Sequence, residues 1–223
     1  MAELIRAFHH DLRSVVGNIH AHIQYLLSDH AGPLTGAQRE SLETAEFSLR
    51  RLALMTDNLA QSVREESLSL NHREPVDLEA LAFSVVKAFQ VSASHEGITL
   101  DFARSGEDPW VLGSELLLGR LADNLVSNAL RYTPQGGRVC VTVRGEPEYV
   151  ILEVRDTGIG IPPHEIPRVF ARGHRTEAGR EKSPEGIGIG LAISEEIASA
   201  HGARIEVESE VGKGSCFRVV FPA

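Results

Sequence analysis

The chain has 223 residues, enough for one or two domains with a core, and its 42% hydrophobic and 24% charged composition excludes a disordered or fibrous protein. A net charge of -9 without a long basic run argues against nucleic acid as a main partner, because phosphate binding needs a basic face. No apolar run approaches the roughly 20 residues that span a bilayer, and the start MAELIRAFHHDLR carries charges too early for a signal peptide. The expected location is therefore the cytoplasm, with Cys140 and Cys216 as free thiols in separate strands.

Residues 1–72 are predicted to hold two helices. Phe8, Leu12, Val15, Val16, Ile19, Ile23, Leu26 and Leu27 form one helical stripe. Gly32, Pro33 and Gly36 then break the helix. Thr35 and Gln38 have the spacing of a capping box that opens the second helix, whose stripe is Leu42, Ala45, Leu49, Leu52, Leu59 and Val63. A lone hairpin leaves its apolar seam exposed, so the expected arrangement is a homodimer with a four-helix bundle.

The first helix carries His9 and His10 side by side. At roughly 100° per residue, His9 falls about 65° and His10 about 165° from the centre of the apolar stripe near Leu12 and Ile19. His10 is thus on the open face beside Ser14 and Gly17, while His9 packs at the flank and His22 points into the seam as a core or interface residue. Neither His9/His10 nor His20/His22 is spaced to aim two rings at one ion, and no C-x-x-C or H-E-x-x-H occurs, so metal clusters are set aside.

Residues 73–223 change pattern. VDLEALAFSVVKAFQVSA is predicted helical, GITLDFA and PWVLG are short strands, and SELLLGRLADNLVSNALRYT is a long helix ended by Pro134 and two glycines. VCVTVRG and YVILEVRD form a hairpin around Gly145, Glu146 and Pro147. The glycine-rich DTGIGIPPHEIPRVF follows, then a charged loop. GIGIGLAISEEIASAHG opens on glycines and continues as a helix, and ARIEVESE and SCFRVVFP close the chain as strands. The fold class is α+β: the helical hairpin, then an α/β sandwich whose mixed, largely antiparallel sheet carries helices on one face.

Asp156, Gly158 and Gly160 follow a strand, and Gly186, Gly188 and Gly190 open a helix. Glycines at a helix start let a row of N–H groups approach a phosphate. A carboxylate at a strand end beside glycines can accept from the amine of a flat base. Either motif alone also fits an ordinary tight turn. Asn124 and Asn128, four apart on one helix face, present polar side chains where a carbonyl oxygen could ligate Mg2+, or simply a polar helix face.

In order along the chain, HDLRS, NLVSNALRYT, DTGIGIPP, VFARGHR and GIGIGLAI resemble the H, N, G1, F and G2 boxes of sensor histidine kinases, with the closing motif GKGSCF after them. The resemblance covers nearly the whole chain. It implies a dimerisation and phosphotransfer hairpin at 1–72 and an ATP-binding domain of the Bergerat (GHKL) fold at 73–223. The implied activity is autophosphorylation of His10 from ATP, then transfer to an aspartate of a response-regulator receiver domain. By resemblance, Asp11 holds the imidazole tautomer and takes its proton, Ser14 occupies a position linked to phosphatase activity, and Asn128 binds Mg2+. Asn124 stands where related ATPases carry a water-activating glutamate. Asp156 would read the adenine amine, Gly158 and Gly160 would give the base room, and Ile161 and Tyr132 would be among the cofactor-binding residues. Gly186, Gly188 and Gly190 would shape the phosphate side, Leu191 would also be cofactor-binding, and Arg131, Arg172, Arg175 and Lys182 would be candidate phosphate contacts.

The chain departs from the pattern at Val15, where the H box usually has proline, and at Gly173, where the F box usually has a second aromatic. Residues 172–185 hold seven charged side chains and no aliphatic larger than alanine, and are predicted to form a mobile lid. With nine residues before His10, the expectation is an excised core or sensing by a separate partner protein. Two other functions fit parts of the pattern: a catalytically silent ATP-binding docking scaffold, and a serine kinase of the anti-sigma-factor type.

Overall fold

The computed structural model describes residues 73–182 and 188–222, together with 19–28, 32–36 and positions 17, 38, 39, 41, 42, 45 and 46. The chain divides into two units, Met1–Ser69 and Leu70–Ala223. His9, His10, Asp11, Ser14 and Gly186 lie outside the described residues.

In the first unit, residues 19–27 are helical, and a second helical stretch begins after Thr35. The expected capping box forms: Gln38 N–H donates to Thr35 Oγ1 at 3.3 Å, and Thr35 N–H donates to Gln38 Oε1 at 2.9 Å. The Gln24 side-chain amide donates to the Glu46 carboxylate, linking the two stretches. Ile23 is buried, whereas Ile19 and Leu26 are exposed. His22 is also exposed in the single chain.

In the second unit, β1 (Glu74–Asp77) leads directly into α1 (Leu78–His95), followed by β2 (Thr99–Gly106), β3 (Trp110–Gly113) and α2 (Glu115–Tyr132). Then come β4 (Arg138–Gly145), β5 (Tyr149–Asp156), the short α3 (Glu177–Lys182), α4 (Gly190–Ala200), β6 (Arg204–Glu210) and β7 (Gly214–Pro222). Asp77 starts α1 by accepting from Ala80 N–H at 3.1 Å. β1 and β3 pair as an antiparallel ribbon. The main sheet has the order β2-β4-β5-β7-β6, parallel only between β2 and β4.

Alternation explains which face is covered. Val139, Val141 and Val143 of β4 and Val150, Leu152 and Val154 of β5 are buried, while the residues between them are half-buried or exposed. This inner face meets Leu81 and Val85 of α1, Leu118, Leu121 and Leu125 of α2, and Ile193 and Ile197 of α4 in one core. The other face is a charge ladder in which Arg218 joins Glu153 at 2.6 Å and Glu208 at 2.7 Å. Both cysteines are free. Cys140 and Cys216 flank Arg155 across β5, so two strand spacings, roughly 9.5 Å, separate them, beyond the roughly 7 Å a disulfide tolerates.

Neither β1 nor α3 was foreseen. β1 is four residues long and contains Pro75, too short to show alternation. α3 lies within the segment expected to be an irregular loop, and its Thr176 hydroxyl accepts from Gly179 N–H at 2.9 Å to start the turn. No helix among the described residues is long and apolar enough to cross a membrane.

Candidate functional site

α2 is the spine of the site. Its apolar stripe, Leu118, Leu121, Leu125 and Ala129, is anchored in the core, which leaves Asn124, Asn128, Arg131 and Tyr132 half-buried along one flank. From Asn124 to Tyr132 the axis advances about 12 Å. Each end of this stretch meets a different glycine motif.

At the Asn124 end sits the N-terminus of α4. A Cβ placed on Gly190 would lie 3.6 Å from Asn124 Oδ1 and 3.9 Å from Asn128 Nδ2, so the two amides face the opening turn of the helix. Asn124 Nδ2 donates to Gly190 O at 3.3 Å. Gly188, at φ +74°, makes the preceding turn, and its carbonyl accepts from Gly173 N–H at 2.9 Å, which ties the F-box segment to the start of α4. Leu191 packs against the core behind this turn.

At the Tyr132 end sits Asp156. It is in phase with Val150, Leu152 and Val154, so its carboxylate lies on the helix-covered face, and it is buried. Oδ1 accepts from Gly158 N–H at 2.8 Å and Ser215 N–H at 3.2 Å. Oδ2 has no hydrogen-bond partner among the described residues. Burial raises the Asp156 pKa above the ordinary carboxylate value, and the two N–H bonds offset part of that rise. Gly158 is obligatory: a Cβ there would sit 2.5 Å from Tyr132 O. Gly160, at φ +69°, has the Glu210 carbonyl 2.1 Å from where its Cβ would be. Ile159 N–H donates to Tyr132 O at 3.1 Å, docking this loop on the end of α2.

The structure therefore gathers Asn124, Asn128, Gly188 and Gly190 at one end and Tyr132, Asp156, Gly158, Gly160 and Ile161 at the other. The cationic candidates are differently engaged. Arg172 bonds both carboxylate oxygens of Glu196 on α4, at 2.8 and 3.0 Å. Arg175 donates to Gly179 O at 2.7 Å, and Lys182 is exposed at the end of α3. Arg131 is half-buried in the last turn of α2. A hollow of about 370 Å³ lies where the end of β5 meets the β6–β7 hairpin, lined by Asp156, Glu208, Glu210 and Lys213 among others. Its cationic lining residues are each paired with a carboxylate, Lys213 with Glu210 and Arg155 with Glu153, so it offers no unmatched positive charge to a phosphate.

Residues 113–223 match the family described as histidine kinase-, DNA gyrase B- and HSP90-like ATPase. Sensor histidine kinase RppB of Synechocystis is 34% identical over 217 residues, covering 96% of this chain and 47% of that protein. The chain carries a GHKL-type ATPase domain and is homologous to the sensor histidine kinases. Sensor histidine kinase CusS of Escherichia coli is 32% identical over 219 residues, covering 96% of this chain and 44% of that protein. This histidine kinase homologue thus spans about half the length of these relatives. Among solved structures, full-length ShkA in complex with AMPPNP covers the whole chain at 25% identity and TM-score 0.71, with 46% of ShkA covered. The mycobacterial sensor histidine kinase MprB covers 68% of this chain at 29% identity and TM-score 0.57, with 97% of that structure covered.

Sequence reasoning missed the contribution of β6 and β7 to the kinase homologue's site. Ser209 and Ser215 hold the Asp156 loop from behind. A signal was present: in ARIEVESE, Ile205 and Val207 occupy the inward positions and Ser209 continues that phase, a polar residue on the apolar side of a strand.

Proposed function

We propose that this chain is a protein histidine kinase that binds ATP along the flank of α2, phosphorylates His10 and passes the phosphoryl group to a response-regulator aspartate. The observation that carries the nucleotide half is the paired geometry of α2. One end presents Asp156, whose Oδ1 is held by two backbone N–H groups and whose Oδ2 is left to accept from an adenine amine. The other end presents two asparagines to the glycine-opened N-terminus of α4, where N–H groups and the helix dipole favour phosphate. That ShkA was solved with AMPPNP supports the same ligand class here.

The donor set also fits Mg2+. The amide oxygens of Asn124 and Asn128 are hard, neutral ligands of the kind this ion takes alongside water and phosphate oxygens. Bound, it would neutralise charge on the phosphates. Asn128 is the ligand we assign, and Asn124 lines the same turn. An asparagine is not a base, so this end of the site holds phosphate without activating water against it.

In the phosphotransfer step the neutral His10 ring nitrogen attacks the γ-phosphorus. A nitrogen–phosphorus bond forms, the bond to the bridging oxygen breaks, ADP departs, and Asp11 takes the ring proton. Positioning and charge neutralisation do most of the work in such a transfer. Ile19 and Leu26, seven residues apart and both exposed in the single chain, support a dimer through the hairpin.

Incubation with γ-labelled ATP tests the reading. Label that survives alkali but not acid, and is lost in His10→Gln but retained in His9→Gln, is the expected result. Acid-stable label would instead identify a serine kinase of the anti-sigma type. ATP binding without label would identify a docking scaffold.

A further inference from the structure

The Ser209 hydroxyl lies where the last hairpin of the sheet meets the glycine loop. Its Oγ accepts from Ile161 N–H at 2.8 Å, lies 3.0 Å from Gly214 O and 2.9 Å from Ser215 Oγ. A serine hydroxyl has one donor and two acceptor sites. All three are used if Ser209 donates to Gly214 O and receives from Ile161 N–H and the Ser215 hydroxyl. Like the Asp156 carboxylate, which accepts from Gly158 N–H and Ser215 N–H, the Ser209 hydroxyl bonds the glycine loop and the β7 start together.

What it joins matters for Asp156. Ser215 N–H is one of the two donors that orient Asp156 Oδ1, and Gly214 runs so close to Asp156 that a Cβ there would sit 2.0 Å from the Asp156 carbonyl oxygen. On the loop side, Gly212 N–H donates to Ile159 O at 2.9 Å, and Glu210 O lies against Gly160. The β6–β7 hairpin therefore grips the loop at Ile159, Gly160 and Ile161, and Asp156 at its carbonyl and its carboxylate. Ser209 is the side-chain bond that ties Ile161 on the loop side to Gly214 and Ser215 on the hairpin side.

We infer that Ser209 is a positioning residue for base recognition: by tying Ile161 to Gly214 and Ser215, it sets the Asp156 carboxylate at the angle that accepts the purine amine. The inference rests on the ATP-site reading above. It differs from a role in general stability because it concerns discrimination between bases rather than overall affinity.

The test is equilibrium binding of ATP and of inosine triphosphate, which carries a carbonyl where adenine carries its amine, to the full chain with Mg2+ present. The wild-type chain should prefer ATP. Ser209→Ala should lose about tenfold in ATP affinity, the ~1.4 kcal/mol that a tenfold change represents, while binding of the inosine nucleotide changes little. Ser209→Thr, which keeps the hydroxyl, should restore the preference. In turnover the alanine variant should raise KM for ATP with kcat retained. If Ser209→Ala proves poorly folded, Ser209→Cys keeps the volume with a weak acceptor and should show the same collapse. A variant that keeps the wild-type ratio of ATP to inosine nucleotide affinity, whatever its melting temperature, overturns the inference. A wild-type chain that binds ATP but shows no preference between the bases overturns the Asp156 reading on which it rests as well.

Discussion

Asp156 shows what burial does to a single carboxylate. Burial disfavours its charged form, so its pKa is raised above the ordinary 3.8. A carboxylate with a raised native pKa binds protons more readily folded than unfolded, so this group favours folding at low pH and that contribution is lost as pH rises through its native pKa. In the proposed site nucleotide binding runs the other way, because the ionised oxygen is the stronger acceptor for an adenine amine. ATP affinity should therefore fall on acidification with a midpoint above 3.8, measured by titration calorimetry across pH. Asp156→Asn separates the two effects. Its carbonyl can still accept from Gly158 and Ser215, but its NH2 would face the donor amine. ATP binding should weaken by about 2 kcal/mol, while the melting temperature at pH 8 holds or rises. A second residue-scale case is His201, buried at the end of α4, where Nδ1 donates to Ile197 O at 2.7 Å and Nε2 accepts from Ser114 N–H at 3.1 Å. Donating at Nδ1 while accepting at Nε2 fixes the tautomer with the hydrogen on Nδ1. His201→Ala leaves Ser114 N–H without its acceptor and opens a cavity, so urea denaturation should show a loss of about 3 kcal/mol.

Glycines at the two ends of α2 do different jobs, although they look alike in sequence. Gly160 has a positive φ and a carbonyl 2.1 Å from its would-be Cβ, whereas Gly190 is helical and a Cβ there meets nothing nearer than 3.6 Å. Gly160→Ala should thus destabilise the ATPase domain by more than the ~1 kcal/mol that φ strain alone carries. Gly190→Ala should fold normally and gain up to about 1 kcal/mol of helix stability, yet bind nucleotide less well because its methyl occupies space in front of Asn124 and Asn128. Thermal denaturation paired with nucleotide binding distinguishes the two. The lid segment belongs to the same scale. α3 has only six residues, below the length at which an isolated helix persists, and Arg172 is engaged by the exposed carboxylate of Glu196. Amides of Arg172–Lys182 should exchange quickly without nucleotide and slow on adding a non-hydrolysable ATP analogue. Exchange as slow as that of β5 in the nucleotide-free protein would show a preformed lid.

For the whole molecule, the two units face different problems. The second closes its own core around the five-stranded sheet. The first leaves Ile19 and Leu26 exposed on one helix, one heptad apart, and a second copy is the simplest cover. Replacing both with aspartate should shift sedimentation from dimer to monomer while leaving ATP binding by the second unit intact.

Local order was legible in the sequence because it depends on neighbours a few residues away. The capping box at Thr35 and Gln38, the i and i+4 placement of Asn124 and Asn128, and the alternation of β4 and β5 follow from helix and strand periods alone. The sheet order, with β7 between β5 and β6 and β2 parallel to β4, does not follow from any local pattern. That order places the β6–β7 hairpin against the Asp156 loop, bringing Ser209 to Ile161, Glu210 to Gly160 and Ser215 to Asp156. It was likewise tertiary packing that joined His201 to Ser114 across 87 residues. Sequence alone determined which residues could carry the chemistry, since side-chain type and period are local. Only the fold decided which backbone groups hold them, because those contacts exist once distant strands share a sheet.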